Sequence, residues 1–198
     1  MRRIPLAIVF ALIFLALRAP AQEQDTTYSF ILSGGGGLTK NVSVFATLPG
    51  GLNQMGFSGT VRLMWKPEYL IRVGLETGLT HIYSVTIPSG GTEDPTFGGA
   101  SAVMTAVPFM ITISMPLWED FELYGAGGIY VVNSHLDFAG QTQTQSVISM
   151  GNMVSLAYSR PISENMRLGT EVKYLYMDKF QDNNFTLQFM LYYTLSRY

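Results

Sequence analysis

The chain of 198 residues has two histidines and no cysteine, which leaves few ways to build a nucleophile. His81 lies three residues before Ser84, and His135 follows Ser134 and precedes Asp137 by two. An imidazole within about 3 Å of a hydroxyl could act as general base for acyl transfer or lipid hydrolysis. Neighbours in sequence are not thereby oriented as base and nucleophile. Neither run resembles the motifs of small membrane enzymes that modify lipid A or transfer acyl chains. We therefore assign no catalytic residue and keep such an enzyme as an alternative. Metal chemistry has equally little to stand on, because two histidines without cysteine cannot complete a zinc site unless several carboxylates join them. Glu93 with Asp94, and Asp178 with Asp182, read as loop solubility. Gly34 to Gly37 is not followed by the Lys-Ser/Thr of a phosphate loop, so neither metal nor cofactor is expected. In a first strand such glycines let a neighbouring strand or a bulky side chain approach closely.

The other residues with chemical potential are charges, and their spacing says what must position them. Tyr69, Ile71, Val73, Leu75, Thr77 and Leu79 share one parity, while Arg72, Gly74, Glu76, Gly78 and Thr80 share the other. Further on, Met166, Leu168, Thr170, Val172, Tyr174 and Tyr176 oppose Arg167, Gly169, Glu171 and Lys173. A period of two is that of a strand. A soluble sandwich would turn the apolar parity inward, and a transmembrane barrel turns it toward lipid.

Composition decides between these. Only 13% of residues are charged, against about 25% in ordinary soluble domains. Beyond the N-terminus no apolar run reaches the roughly 18 residues of a spanning helix. Strands are expected at 27–38, 56–66, 69–83, 101–116, 121–134, 147–160, 166–178 and 185–198. The fold class is therefore all-β, an eight-stranded antiparallel up-and-down transmembrane β-barrel. Its inward faces gather Arg62, Arg72, Glu76, Glu122, Arg167, Glu171 and Lys173, with Thr186 and Gln188 nearby. Ions in so narrow and dry a space must pair, so these residues read as a polar plug, with a gated pore as the alternative. The breaks at 67–68, 117–120 and 161–165 are short, whereas 39–55, 84–100 and 135–146 are long, the asymmetry of periplasmic turns and outer loops. Trp65, Tyr69, Trp118, Phe121 and Tyr158 flank the short turns as an aromatic girdle.

Residues 1–21 read as a cleaved signal peptide. Arg2 and Arg3 precede the apolar stretch Ile4 to Leu17, and Ala19-Pro20-Ala21 forms an A-x-A cleavage site. Residues 22–198 are then the barrel. Removing Arg2, Arg3 and Arg18 leaves nine basic against fourteen acidic residues, a charge of −5, and no basic patch for nucleic acid.

The run Ala106-Val107-Pro108-Phe109-Met110-Ile111-Thr112-Ile113, followed by a turn and Tyr124-Gly125-Ala126-Gly127-Gly128, resembles the core of the porin-like outer-membrane β-barrel family common in Bacteroidetes. Arg72 to Leu79 is similar to that family's preceding strand. The resemblance implies an eight-stranded barrel in the outer membrane of a Gram-negative cell and no particular activity. A final strand ending on an aromatic residue resembles the closing strand of such barrels, which makes Tyr198 the expected C-terminal assembly signal for the barrel-assembly machinery. Its parity departs from that of Phe189, Leu191, Tyr193 and Leu195, so either a bulge near Ser196-Arg197 shifts the strand or Tyr198 lies beyond the barrel. Both termini are expected in the periplasm.

Function is expected to reside in the outer loops. The scaffold would meet outer-membrane lipid and lipopolysaccharide, and an envelope protein partner through the first extracellular loop, where Val42, Val44, Phe45, Leu48 and Leu52 are unusually apolar. A narrow pore for small solutes is the alternative, and a lipid-modifying enzyme of the outer leaflet the third reading.

Overall fold

The computed structural model describes residues 28–42, 51–67, 70–87, 99–138 and 141–197. Residues 1–21, the expected signal peptide, and Tyr69, Tyr198 and the apolar residues Val44, Phe45 and Leu48 of the first loop lie outside them. Nine strands form: β1 (Ser29–Asn41), β2 (Gly51–Asn53), β3 (Met55–Lys66), β4 (Arg72–Ile87), β5 (Ala100–Pro116), β6 (Phe121–Phe138), β7 (Gln141–Ser163), β8 (Met166–Met177) and β9 (Asp182–Arg197). They run in the order β2-β4-β3-β1-β9-β8-β7-β6-β5, and a further β4–β5 pairing closes the sheet into a ring. Every pairing is antiparallel. β2 and β3 both lie along β4, with Asn53 opposite Ser84 and Ser58 opposite Thr80. They are two pieces of one stave parted at Gln54, so the ring has the eight staves that the alternation predicts.

The parity sorts as it must for a barrel in lipid. On β9, Phe185, Leu187, Phe189, Leu191, Tyr193 and Leu195 are exposed while Asp182, Asn184, Thr186 and Gln188 are buried. On β3, Phe57, Val61, Leu63 and Trp65 face out, and Ser58, Thr60, Arg62 and Met64 face in. Water would drive the opposite arrangement. The lumen is not wholly polar, however. Met64, Ile82, Met104, Met110, Met153, Met177 and Met190 are buried with Tyr124, Tyr130 and Tyr192. Charge alternation alone gives no sign of this apolar filling, which lies on inward positions of β3 to β9.

A barrel of eight staves curves tightly, and its inward positions are crowded. A Cβ on Gly35 would stand 2.1 Å from the Phe189 carbonyl oxygen and 2.4 Å from Met190 Sδ, and one on Gly74 would stand 2.5 Å from Met64 Sδ. Methionine, unbranched and flexible, fills the uneven space these glycines leave.

Several boundaries differ from expectation. The stretch 135–146 is not a long loop: β6 continues to Phe138 and β7 starts at Gln141. Alternating Thr and Gln suit a strand, and Asp137, His135 and Asn133 bond across it to Thr142, Thr144 and Ser146 at 2.5, 2.8 and 2.6 Å. β4 likewise extends to Ile87 and β5 begins at Ala100. At the chain's end the β1–β9 register shifts between Phe30, opposite Ser196, and Ile31, opposite Thr194. The bulge thus falls at Leu195 and puts even-numbered Ser196 opposite outward Phe30.

Candidate functional site

Four of the predicted lumen residues converge in the middle of the barrel. Arg62 on β3 lies opposite Glu76 on β4, and Glu171 and Lys173 alternate inward on β8. Arg62 donates from Nε to Glu76 Oε2 at 2.6 Å and from Nη2 to Glu171 Oε1 at 2.7 Å, with Nη1 3.2 Å from Glu171 Oε2. Lys173 Nζ donates to Glu76 Oε1 at 2.7 Å and stands 3.7 Å from Glu171 Oε1. All four side chains are at most 2% exposed. Two cations and two anions cancel, and both carboxylates accept several charge-assisted bonds, the condition under which buried ions are tolerable.

Of the residues that complete this cluster, sequence reading marked Gln188 but not Ser58, Thr60, Ser155 or Tyr124. Ser155 Oγ donates to Glu171 Oε1 at 2.5 Å, and Lys173 donates to Thr60 Oγ1 at 2.9 Å. Thr60 in turn donates to Gln188 Oε1, and Gln188 Nε2 donates to Ser58 Oγ, both at 2.9 Å. The Tyr124 ring lies 4.0 Å from the Arg62 guanidinium carbon, a cation–π contact that covers the face the carboxylates leave open. Inward parity on β3, β7 and β9 is the signal that places Thr60, Ser155 and Gln188 in the lumen. Their partners depend on how far one stave is staggered against the next, which parity does not encode.

The remaining three charges stand apart. Arg72 pairs with Glu122 at 2.8 Å, and Ser114 Oγ donates to the same carboxylate at 2.6 Å. Arg167 donates to Ser159 Oγ at 3.0 Å and to the Ser159 and Glu119 carbonyls at 2.7 and 3.1 Å, with Asp120 3.6 Å away. These groups line an open vestibule of about 250 Å³ at the tight-turn end. Thr186 belongs to neither set and donates to Thr39 Oγ1 at 3.0 Å.

Of the residues expected to form the girdle, Trp65, Trp118, Phe121 and Tyr158 are described and gather at that same end. Trp118 and Phe121 meet edge to face with centroids 5.8 Å apart, and Phe121 and Tyr158 lie 5.1 Å apart. Trp65 is exposed on the outer face of β3, and Trp118 is exposed in the turn before β6, where it borders the vestibule. At the other end Tyr174 and Phe185 form a ring pair at 5.1 Å that sequence reading did not mark. The two histidines are separate. His135 Nδ1 is bonded to Thr144, and a Cβ on Gly56 would lie 2.2 Å from the His81 ring. Among the described residues no group of three His, Asp or Glu is placed to hold a metal ion.

The other chemically open feature is a strand edge. β8 ends at Met177, opposite Gly151, and the turn that follows docks on β7 through Asp178 N to Met150 O at 2.9 Å and Lys179 N to Ser149 Oγ at 3.1 Å. Above this point β7 runs on from Ile148 to Gln141 with β6 on one side and no described strand on the other. The extension belongs to a sheet ordered β2-β4-β5-β6-β7.

No protein-family model and no curated protein matches the sequence. Solved structures do. The chain is similar to Ail, the attachment invasion locus protein of Yersinia pestis, in complex with the heparin analogue sucrose octasulfate, at 11% identity and a TM-score of 0.50 over 85% of this chain and 98% of that one. OprG from Pseudomonas aeruginosa is 12% identical with a TM-score of 0.47, over 83% of this chain and 95% of that one. Neisserial surface protein A is 11% identical with a TM-score of 0.43, over 86% and 98%. At such identities the likeness is one of fold: this is the architecture of the small outer-membrane β-barrels.

Proposed function

We propose that this barrel resides in the bacterial outer membrane and works there as a surface scaffold, holding an extended strand edge and its outer loops for a protein partner. The porin-like type common in Bacteroidetes is the kind its β5–β6 motif resembles. In this reading the tight turns and both termini are periplasmic, and the β6–β7 ribbon projects outward. Lipid and lipopolysaccharide surround the belt, and the barrel-assembly machinery inserts the chain.

The edge of β7 from Gln141 to Ile148, unpaired among the described residues, carries the proposal. A free edge offers backbone N–H and C=O groups to an incoming strand, and proteins that do not use such an edge blunt it with charge, proline or cover. Gln141 to Ile148 contains neither charge nor proline. Three cross-strand side-chain bonds hold the ribbon in shape, which lowers the ordering cost of binding. At the opposite edge of the same sheet β2 brings in the first loop, the other expected contact region. The filled lumen supports a scaffold over a pore, and the engagement of His135 by Thr144 gives a lipid-modifying activity no support.

Co-purification after mild detergent extraction tests the reading. Deleting 139–146, or replacing Gln143 and Gln145 by Lys, removes the partner while the barrel keeps its heat-modifiable gel mobility, and trimming 41–54 weakens the complex. Recovery of the protein in a soluble periplasmic fraction would overturn the placement. Protection of the ribbon from protease on intact cells would overturn its orientation. Altered lipid A, lost on His81→Ala or His135→Ala, would replace the scaffold by an enzyme.

A further inference from the structure

The outer surface has a hollow of about 190 Å³ at the loop end of β1 and β9, lined by Leu38, Lys40, Met55, Val172, Phe185 and Leu187. These belong to two adjacent outward rows of the sheet. Lys40 stands between Met55 and Phe185, and Leu38 stands beside Leu187, which is opposite Val172. The five apolar residues are each about half exposed.

The rows fix the depth of the hollow. On β1, Phe30 lies opposite Trp65 of the tight-turn girdle and precedes Lys40 by ten residues. Ten residues of strand span about 34 Å, which at the tilt of a small barrel rises about 25 Å, the height of the apolar belt. At that second boundary Phe185 stacks with Tyr174, whose hydroxyl donates to Asn183 Oδ1. Lys40 therefore lies at headgroup level with the hydrocarbon below it.

Its charge is unanswered there. Lys40 is exposed and has no ion pair or side-chain hydrogen bond among the described residues. Residues 41–54 contain no acid, and Asp182, the one acid of β9, is buried on the inward parity. Further down β1 the next outward residue is Gly36, flanked by Gly59 and Phe189. A Cβ on Gly36 or Gly59 would meet only a backbone oxygen, at 3.6 or 3.7 Å, so no described side chain covers these two positions and the recess continues toward the middle of the belt.

We infer that this hollow binds a phosphorylated lipid of the outer leaflet, its phosphate on Lys40 and one acyl chain running through the hollow and over the glycines. Lipid of some kind covers this face in a bilayer, and the lysine selects the kind: a cation at the interface attracts an anionic headgroup, while its stem packs along apolar surface. The inference rests on the placement and orientation proposed above. With the tight turns periplasmic, the occupant is the lipid A moiety of lipopolysaccharide, held where β1 enters the first loop.

The experiment separates the site from the placement. Folded protein purified in detergent is titrated with diphosphoryl lipid A and, separately, with phosphatidylglycerol, and the lipid retained is read by native mass spectrometry. Wild type is expected to hold one lipid A. Lys40→Gln weakens binding about fivefold, whereas Lys40→Arg and Lys179→Gln, a change at another exposed lysine of this end, bind as wild type does. Gly36→Leu, which fills the recess, weakens binding comparably while heat-modifiable mobility shows the barrel folded. Unchanged binding in Lys40→Gln overturns the site, and so does an equal loss in Lys179→Gln, which reports general charge attraction. Phosphatidylglycerol held as tightly, with the same dependence on Lys40, overturns the assignment to lipid A. All three results leave the outer-membrane placement standing, whereas recovery of the protein in the soluble periplasmic fraction sinks the placement itself.

Discussion

Each residue of the lumen cluster is held by several others, so removing one does more than delete a contact. Arg62 bridges both carboxylates, and Arg62→Ala would leave Lys173 to balance both Glu76 and Glu171, with Ser155 as Glu171's remaining hydroxyl donor. Breaking a buried pair from one side costs about 3–5 kcal/mol. We expect a loss in that range, read as the shift in the urea unfolding midpoint in lipid vesicles. Replacing Arg62 and Glu76 together should cost less than the two single changes summed, because each removes the other's orphaned charge. On the outer face the opposite test applies. Phe189 is 70% exposed, and in a soluble protein Phe189→Lys would alter stability by about 0.5 kcal/mol or less. In a bilayer belt the same change costs about 2–4 kcal/mol near the midplane. The larger loss, measured in vesicles, is the expected result, and it reports directly on which solvent that face meets.

At the scale of elements, what the sequence makes legible follows from what its periodicity encodes. The inward set Arg62, Arg72, Glu76, Glu122, Arg167, Glu171 and Lys173 is readable because charge on one parity and aliphatic bulk on the other leave a strand little choice. Which of these residues meet is set by the stagger between staves. Arg62 and Glu171 lie 109 positions apart and belong to strands that do not pair, so no local pattern could join them or detach Arg167. The extension of β6 and β7 was hidden for a different reason: Gln-Thr-Gln-Thr has the composition of a flexible loop and the alternation of a strand, and the tie between Thr144 and His135 exists only once the two strands face each other. A departure near the chain's last strand positions was readable, because the mismatch between Tyr198 and the odd-numbered outward residues requires an irregularity or an overhang; the register shift falls at Leu195 rather than at Ser196-Arg197. If the ribbon is an independent element, deleting 139–146 should shift the barrel's unfolding midpoint hardly at all. Limited proteolysis of the intact protein should cut first within the ribbon, where residues 135–138 and 141–146 are exposed.

For the whole molecule, the decisive question is whether the lumen conducts. The cluster fills the barrel at its level: its two positive and two negative groups bond one another, with Tyr124, Met110, Met153 and Met190 buried in the same lumen. Water and ions have no vacant charge to follow through that layer. Wild-type protein in a planar bilayer is therefore expected to show no steady conductance, and openings comparable to those of a general porin would refute the plug. Single-charge variants sharpen the test by sign. Lys173→Met leaves the cluster net negative with Glu76 short of one donor, so any openings that appear should favour cations. Glu76→Gln leaves a net positive lumen and loosens Lys173, so its openings should favour anions. A reversal potential measured across a salt gradient distinguishes the two outcomes. Opposite selectivities in these variants, with a silent parent, would show that charge balance within the cluster holds the barrel shut. Steric filling alone predicts that both variants remain closed.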